Sequence, residues 1–135
     1  MEQRPVNISE ALSSFETLWS PRIIAQMNDY DVRIAHVKGE HVWHAHEDTD
    51  EFFLVLEGEF NIAMRGDDGE ERVVKLREGD TYVVPKGVPH RPYSPGAAIL
   101  MFEPTGTLST GDSEEGDIPD GVDSTTGHEL NPQNS

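Results

Sequence analysis

Nine short stretches rich in β-branched and aromatic residues, with turn formers every few positions between them, confine most of this chain to an all-β fold. They are Arg22–Met27, Asp31–Lys38, His41–Ala45, Glu51–Glu57, Phe60–Arg65, Arg72–Arg77, Thr81–Val84, His90–Tyr93 and Ala97–Glu103. Asn28-Asp29, Gly39-Glu40, Gly58-Glu59, Gly66-Asp67-Asp68-Gly69, Gly79-Asp80 and Pro95-Gly96 punctuate them. Short strands at near-regular spacing, with no long helix between them, predict a β-sandwich or barrel over residues 22–104. Residues 1–21 read as a short helical segment. Asn7 or Ser9 can cap it, Glu10 stands three residues after Asn7, Leu12, Phe15 and Leu18 recur at helical spacing, and Pro21 closes it. From Thr105 to Ser135 the chain is rich in Gly, Ser, Thr, Asp and Pro, with only isolated apolar residues such as Ile118, Val122 and Leu130. Such a composition buries too little to offset ordering entropy and predicts a disordered acidic tail.

The charge balance narrows the partners. Acidic residues number 26 against 10 basic ones, a formal net of −16. Half of that excess lies in residues 92–135, which hold 8 acids and no Lys or Arg. Such a surface repels nucleic-acid phosphate and anionic lipid, so neither is an expected partner. Scarce lysine (Lys38, Lys75 and Lys86 only) beside so many acids suits a halophilic protein kept soluble where salt screens self-repulsion. The absence of cysteine removes disulfides, thiolate ligands and thiol nucleophiles. No apolar run reaches the ~18 residues of a membrane span. The opening residues lack the basic and apolar regions of a secretion signal, so the expected location is cytoplasmic.

The chemistry concentrates in two stretches. In the first, from Gly39 to Gly58, His44 and His46 alternate on a strand, share a face and stand about 6.6 Å apart along it. Two imidazoles that close can converge on one cation. Glu51 opens the next strand after the Glu47–Asp50 turn, and an antiparallel neighbour can bring its carboxylate to the same cavity. In the second stretch, Gly79 to His90, a strand ends in a stiff turn. Pro85 fixes φ, Gly87 permits a positive φ, and Pro89 precedes His90, which is thereby presented at a defined position.

Together these stretches resemble the two motifs of the cupin superfamily, and the chain is similar to small single-domain cupins of the cupin-2, mannose-6-phosphate-isomerase-like type. The first motif reads Gly39, His44, His46, Glu51, Gly58, with the gap from Gly39 to His44 one residue shorter than usual. The second reads Gly79, Pro85, Gly87, His90, with Ser94 in place of its closing Asn. The resemblance implies a double-stranded β-helix, or jelly roll, holding one divalent transition metal ion (Fe, Mn, Zn, Ni or Cu) on His44, His46, Glu51 and His90. Ligand type does not choose among those metals. A site of this kind leaves positions open for water or substrate, as catalytic ions require.

Val42, Phe53 and Val55 share parity with the ligands and are expected to line a mostly apolar pocket for a small-molecule ligand. Tyr82, Arg91, Tyr93 and Glu103 are candidate polar contributors, with Tyr82 and Glu103 the candidate catalytic bases. His36 and His41 are read as solvent-facing, with contact to the ligands as the alternative, and His128 as inert. Phe52–Leu56 is apolar on both faces, so its outer face needs the N-terminal helix or a second subunit; a homodimer is expected. The reaction stays open between metal-assisted isomerisation, lysis or oxygenation of a small oxygen-rich metabolite and non-catalytic metal-dependent binding. An isomerase of phosphorylated sugars needs a basic clamp, and only Lys86 and Arg91 lie near the motifs.

Overall fold

Two long strands carry the architecture, and both run through positions that read as turns. The computed structural model describes residues 4–108, 112–113 and 127–130. Its elements are α1 (Ile8–Ser13), β1 (Arg22–Met27), β2 (Tyr30–Glu40), β3 (His44–Ala45), β4 (Glu51–Arg65), β5 (Glu71–Arg77), β6 (Thr81–Val84), β7 (His90–Pro104), β8 (Asp112–Ser113) and β9 (His128–Glu129). The strands follow the order β5-β4-β7-β2-β1-β9, with β6 on β4 and β3 between β7 and β8. This is the expected all-β jelly roll.

The stretches on either side of Gly58 form one strand, and so do those on either side of Pro95-Gly96. The two strands pair across the bend, Gly58 opposite Ala97 and Glu59 opposite Gly96, with register shifts on both sides of Gly58. Gly58 has φ +80°, and a Cβ there would overlap the carbonyl oxygen of Gly96. Glycine at this point lets two backbones cross while the strands turn the barrel's corner. The Ser94 hydroxyl pins the same corner by donating to the Glu59 carbonyl at 2.6 Å.

The inner face buries Phe53, Val55, Phe60, Ile62, Met64, Leu76, Val84, Ile99 and Met101 with Ala35 and Val37. Helix α1 is shorter than residues 1–21 allow. Asn7 caps it, its side chain accepting from the Glu10 amide, and it ends at Ser13. It nonetheless covers the outer face, where Ala11 and Leu12 pack with Ile34, Ala98, Leu56 and Leu100. His36, read as solvent-facing, is half-buried; its Nε2 meets the Leu12 carbonyl at 2.8 Å and ties helix to sheet.

The expected tail lies largely outside the described residues, Ile118 and Val122 included. Of the described part, β8 pairs antiparallel with β3, and β9 pairs parallel with β1, His128 opposite Arg22. Among the described residues no helix is long and apolar enough to cross a membrane.

Candidate metal centre

The four motif residues are buried and converge: His44, His46, Glu51 and His90 each offer one donor atom, all within 4.8 Å of one another. Strand register explains the convergence. His44 on β3 lies directly opposite His90 on β7. Glu51 opens β4 with the inward parity of Phe53 and Val55, and β4 also pairs with β7. The loop after β3 is tied to the Pro85–Pro89 turn, because the Gly87 amide donates to the His46 carbonyl at 2.9 Å. The Lys86 amide donates to Asp50 Oδ1 at 2.9 Å, which holds the Glu47–Asp50 turn in place.

Hydrogen bonds set the imidazole tautomers. His44 Nδ1 lies 2.8 Å from the Val42 carbonyl and His90 Nδ1 lies 2.9 Å from the Val88 carbonyl. A carbonyl only accepts, so both Nδ1 atoms carry hydrogen and both Nε2 atoms of the neutral rings present lone pairs. His90 Nε2 nevertheless faces Glu51 Oε1 at 3.0 Å, and His46 Nε2 faces the same oxygen at 3.3 Å. A lone pair against a carboxylate oxygen at that range is repulsive unless a cation, proton or metal, sits among them. Donors about 2.1 Å from a shared ion stand about 3 Å apart when adjacent around it, so the residues present fit a metal.

Burial tunes the same groups. It pushes the His44 imidazole down to about 3, with the neighbouring His90 imidazole pushing the same way, so His44 is unprotonated at neutral pH. Burial raises Glu51, but hydrogen bonds from Glu103, His46 and His90, the last two made only when Nε2 carries a proton in place of a metal, outweigh it and hold the carboxyl well below its usual range. Glu103 goes the other way: burial, the neighbouring Glu51 charge and the hydrogen bond to Glu51 raise it well above the ordinary value. The shift favours a proton on Glu103 beside the Glu51 carboxylate.

A cavity opens onto this cluster, with about 30 Å³ of room for water centres, enough for one or two waters. His41, His44, Glu51 and Glu103 supply its polar wall; Trp19, Phe53, Phe60, Ile99 and Met101 supply most of the apolar one. No Lys or Arg lines it among the described residues.

The structure sorts the candidate polar contributors. Glu103 lines the cavity, whereas Tyr82 does not; its hydroxyl lies 3.8 Å from Met64 Sδ. Arg91 stands over the Trp43 ring and 3.6 Å from Glu40, and neither it nor Tyr93 lines the cavity. His41, read as solvent-facing, is buried instead because Trp19 covers it. Sequence reasoning also missed Asp31 and Arg33, both fully buried; Arg33 Nη1 donates to Glu103 Oε2 at 2.9 Å. The available signal was a charged pair inside a strand that pairs with a central neighbour.

The family model described as "Cupin domain" matches residues 32–103, which span both motifs and all four converging donors. The chain is a cupin. This cupin is 44% identical to a cupin-2 domain containing protein of Shewanella frigidimarina, with a TM-score of 0.68 over 73% of this chain and 93% of that one. It is 42% identical over 68 residues to the uncharacterized protein YdbB of Bacillus subtilis, which is 50% of this cupin and 57% of YdbB. It is 30% identical over 95 residues to a 3-hydroxyanthranilate 3,4-dioxygenase of Yarrowia lipolytica, 68% of this cupin and 55% of that enzyme. The cupin thus spans little more than half the length of either curated relative.

Proposed function

We propose that this cupin is a metal-dependent oxygenase for a small, largely apolar molecule that brings oxygen donors to an Fe(II) ion held by His44, His46, Glu51 and His90. The observation that carries the reading is that two of the four buried, converging donors, His44 and Glu51, stand with His41 and Glu103 in the polar wall of a cavity that is otherwise apolar. A bound Fe(II) ion would supply the redox chemistry that joins molecular oxygen to an organic substrate. The protein's own part is to fix the donors through the Val42 and Val88 carbonyls, to exclude bulk water, and to hold a proton on the Glu103 carboxyl. Among the described residues the cavity lacks the cationic side chains that a phosphorylated sugar would need, which disfavours the isomerase alternative. The partial similarity to 3-hydroxyanthranilate 3,4-dioxygenases favours oxygenation over lysis.

The test is elemental analysis of protein purified without chelator, followed by oxygen-electrode assays of the Fe(II)-loaded protein against small hydroxylated aromatics and hydroxyketones. Iron with substrate-dependent oxygen uptake, lost in Glu51→Ala, is the expected result. Zinc or manganese with no uptake would overturn it in favour of non-catalytic metal-dependent binding, a second reading that the narrowness of the cavity supports. The half-buried outer-face side chains Phe52, Leu54 and Phe102, beside exposed Val83, support a homodimer. Sedimentation equilibrium returning a monomer would remove that element.

A further inference from the structure

One polar atom in the cavity has no work in holding the ion. His41 is buried at 7% exposure, and its Nδ1 makes no hydrogen bond. The Nδ1 atoms of His44 and His90, by contrast, are spent on backbone carbonyls. We propose that His41 positions the organic ligand, its Nδ1 making a hydrogen bond to a polar atom of a small chelating molecule seated on the ion. This rests on the reading that metal and ligand share the cavity, and it adds the residue that grips the ligand and the ligand's chemical class.

The ring is held where such a role needs it. Trp19 packs on one side, with ring centroids 5.0 Å apart, and His44 meets it edge-on at 5.1 Å. The His41 amide donates to the Pro92 carbonyl at 2.8 Å, which anchors the backbone beneath the ring. Trp19 itself is secured in an unusual conformation. It has φ +54°, sparsely populated for a bulky residue, while its indole N–H donates to the Lys38 carbonyl at 2.9 Å. Strain of that kind persists only where the surroundings enforce it. Here it puts an aromatic lid against an imidazole whose free nitrogen borders the same space as His44 and Glu51. A buried, unsatisfied ring nitrogen is unfavourable by itself, and a ligand that meets it removes the penalty.

The walls also state what the ligand is. Among the described residues the acidic groups on the cavity are Glu51 and Glu103, no Lys or Arg joins them, and the cavity volume is about 30 Å³. An added carboxylate or phosphate would face like charge with no basic partner. The ligand class is therefore the smallest neutral or singly charged chelators, such as a two- or three-carbon hydroxyketone or hydroxamate, with one hydrogen-bonding atom left over.

Acetohydroxamate is the probe, because it chelates through two oxygens and leaves its N–H free. Titrated into the iron(III)-loaded protein, it reports binding by its visible charge-transfer band, while metal content is measured separately. We expect saturable binding to the wild type, about tenfold weaker binding to His41→Phe at unchanged iron content, and near-complete recovery in His41→Gln. N-methylacetohydroxamate, which lacks the N–H, should bind the wild type about tenfold more weakly, a comparison that needs no variant. Equal affinity of His41→Phe and wild type would overturn the proposal. So would loss of iron from His41→Phe, His41→Gln binding as poorly as His41→Phe, no effect of N-methylation, or no binding to the loaded wild type. Failure of oxygen uptake with this pattern of binding intact would sink the oxygenase and leave His41 in its role.

Discussion

Two buried polar clusters lie side by side in the barrel and balance their charge in opposite ways. Around Arg33 the compensation is internal. Arg33 Nη2 lies 3.0 Å from Asp31 Oδ2, and Nη1 lies 2.9 Å from Glu103 Oε2 and donates to the Thr107 carbonyl at 2.9 Å. Burial pushes Asp31 up, but hydrogen bonds from Gln26, Arg33 and Thr105 and the Arg33 charge leave its carboxyl below the ordinary value. Around Glu51 the compensation is missing. Two imidazole nitrogens converge on one carboxylate oxygen, and no Lys or Arg lines the adjoining cavity among the described residues. The first cluster is a closed piece of structure; the second is a set of donors that could hold a cation from outside. Glu103 joins them: it accepts from Arg33 and, being protonated, adds no second negative charge beside Glu51.

The largest effect that tests this contrast is Arg33→Met, which leaves the Asp31 carboxylate buried without its cation and Glu103 without its donor. Breaking a buried pair from one side destabilises by about 3–5 kcal/mol, read as a fall in urea midpoint at constant slope. A change below about 1 kcal/mol would show that the Arg33 cluster is not self-compensating. Next comes the metal. Added at a hundred times its dissociation constant, the ion should stabilise the wild type by about 2.7 kcal/mol. Glu51→Gln should lose most of that gain, and His46→Ala likewise. The pH profile separates the clusters further. Burial lowers His41 to about 4 and His44 to about 3, so an unfolded chain binds protons near pH 6.5 that the metal-free fold refuses. Metal-free protein should therefore lose stability as pH falls from about 6.5 towards 4, with the raised Glu103 carboxyl offsetting part of the loss from the two imidazoles, whereas Asp31, with its carboxyl held low, adds to the loss only below its ordinary value of 3.8. A flat profile between pH 7 and 4.5 would contradict the neutral burial of the two imidazoles.

The ease of reading these clusters from sequence differs for the same physical reason. Ligand spacing is local. Strand alternation aligns His44 with His46, and the Pro85–Pro89 turn sets His90, so two short stretches carry the site. The Arg33 cluster depends on register, with Asp31 opposite Glu103 across β2 and β7. Its alternation even misleads, because Val32 and Ile34 look like the core-facing pair of Asp31–Ile34. The barrel instead takes Asp31 and Arg33 inward and leaves Ile34 to pack beneath helix α1. His41 was misread because what buries it is Trp19 in a left-handed conformation, for which no periodic pattern gives a signal. The breaks expected at Gly58 and Pro95-Gly96 failed similarly: turn residues mark a bend, and only pairing across it shows that the strands continue.

The smallest effect expected is the most selective. The Thr105 hydroxyl donates to Asp31 Oδ1 at 2.8 Å, and Gln26 Nε2 donates to the same oxygen at 2.9 Å. Thr105→Val keeps the shape and removes one of these donors, while Arg33 and Gln26 still satisfy the carboxylate. The loss should lie near 1.5 kcal/mol, the lower end for a hydrogen bond to a charged group. Metal affinity should not move, because Asp31 reaches the ligand set only through Arg33 and Glu103. If isothermal titration found metal binding weakened tenfold in Thr105→Val, the two clusters would be one coupled network, and the division between a closed cluster and an open one would fail.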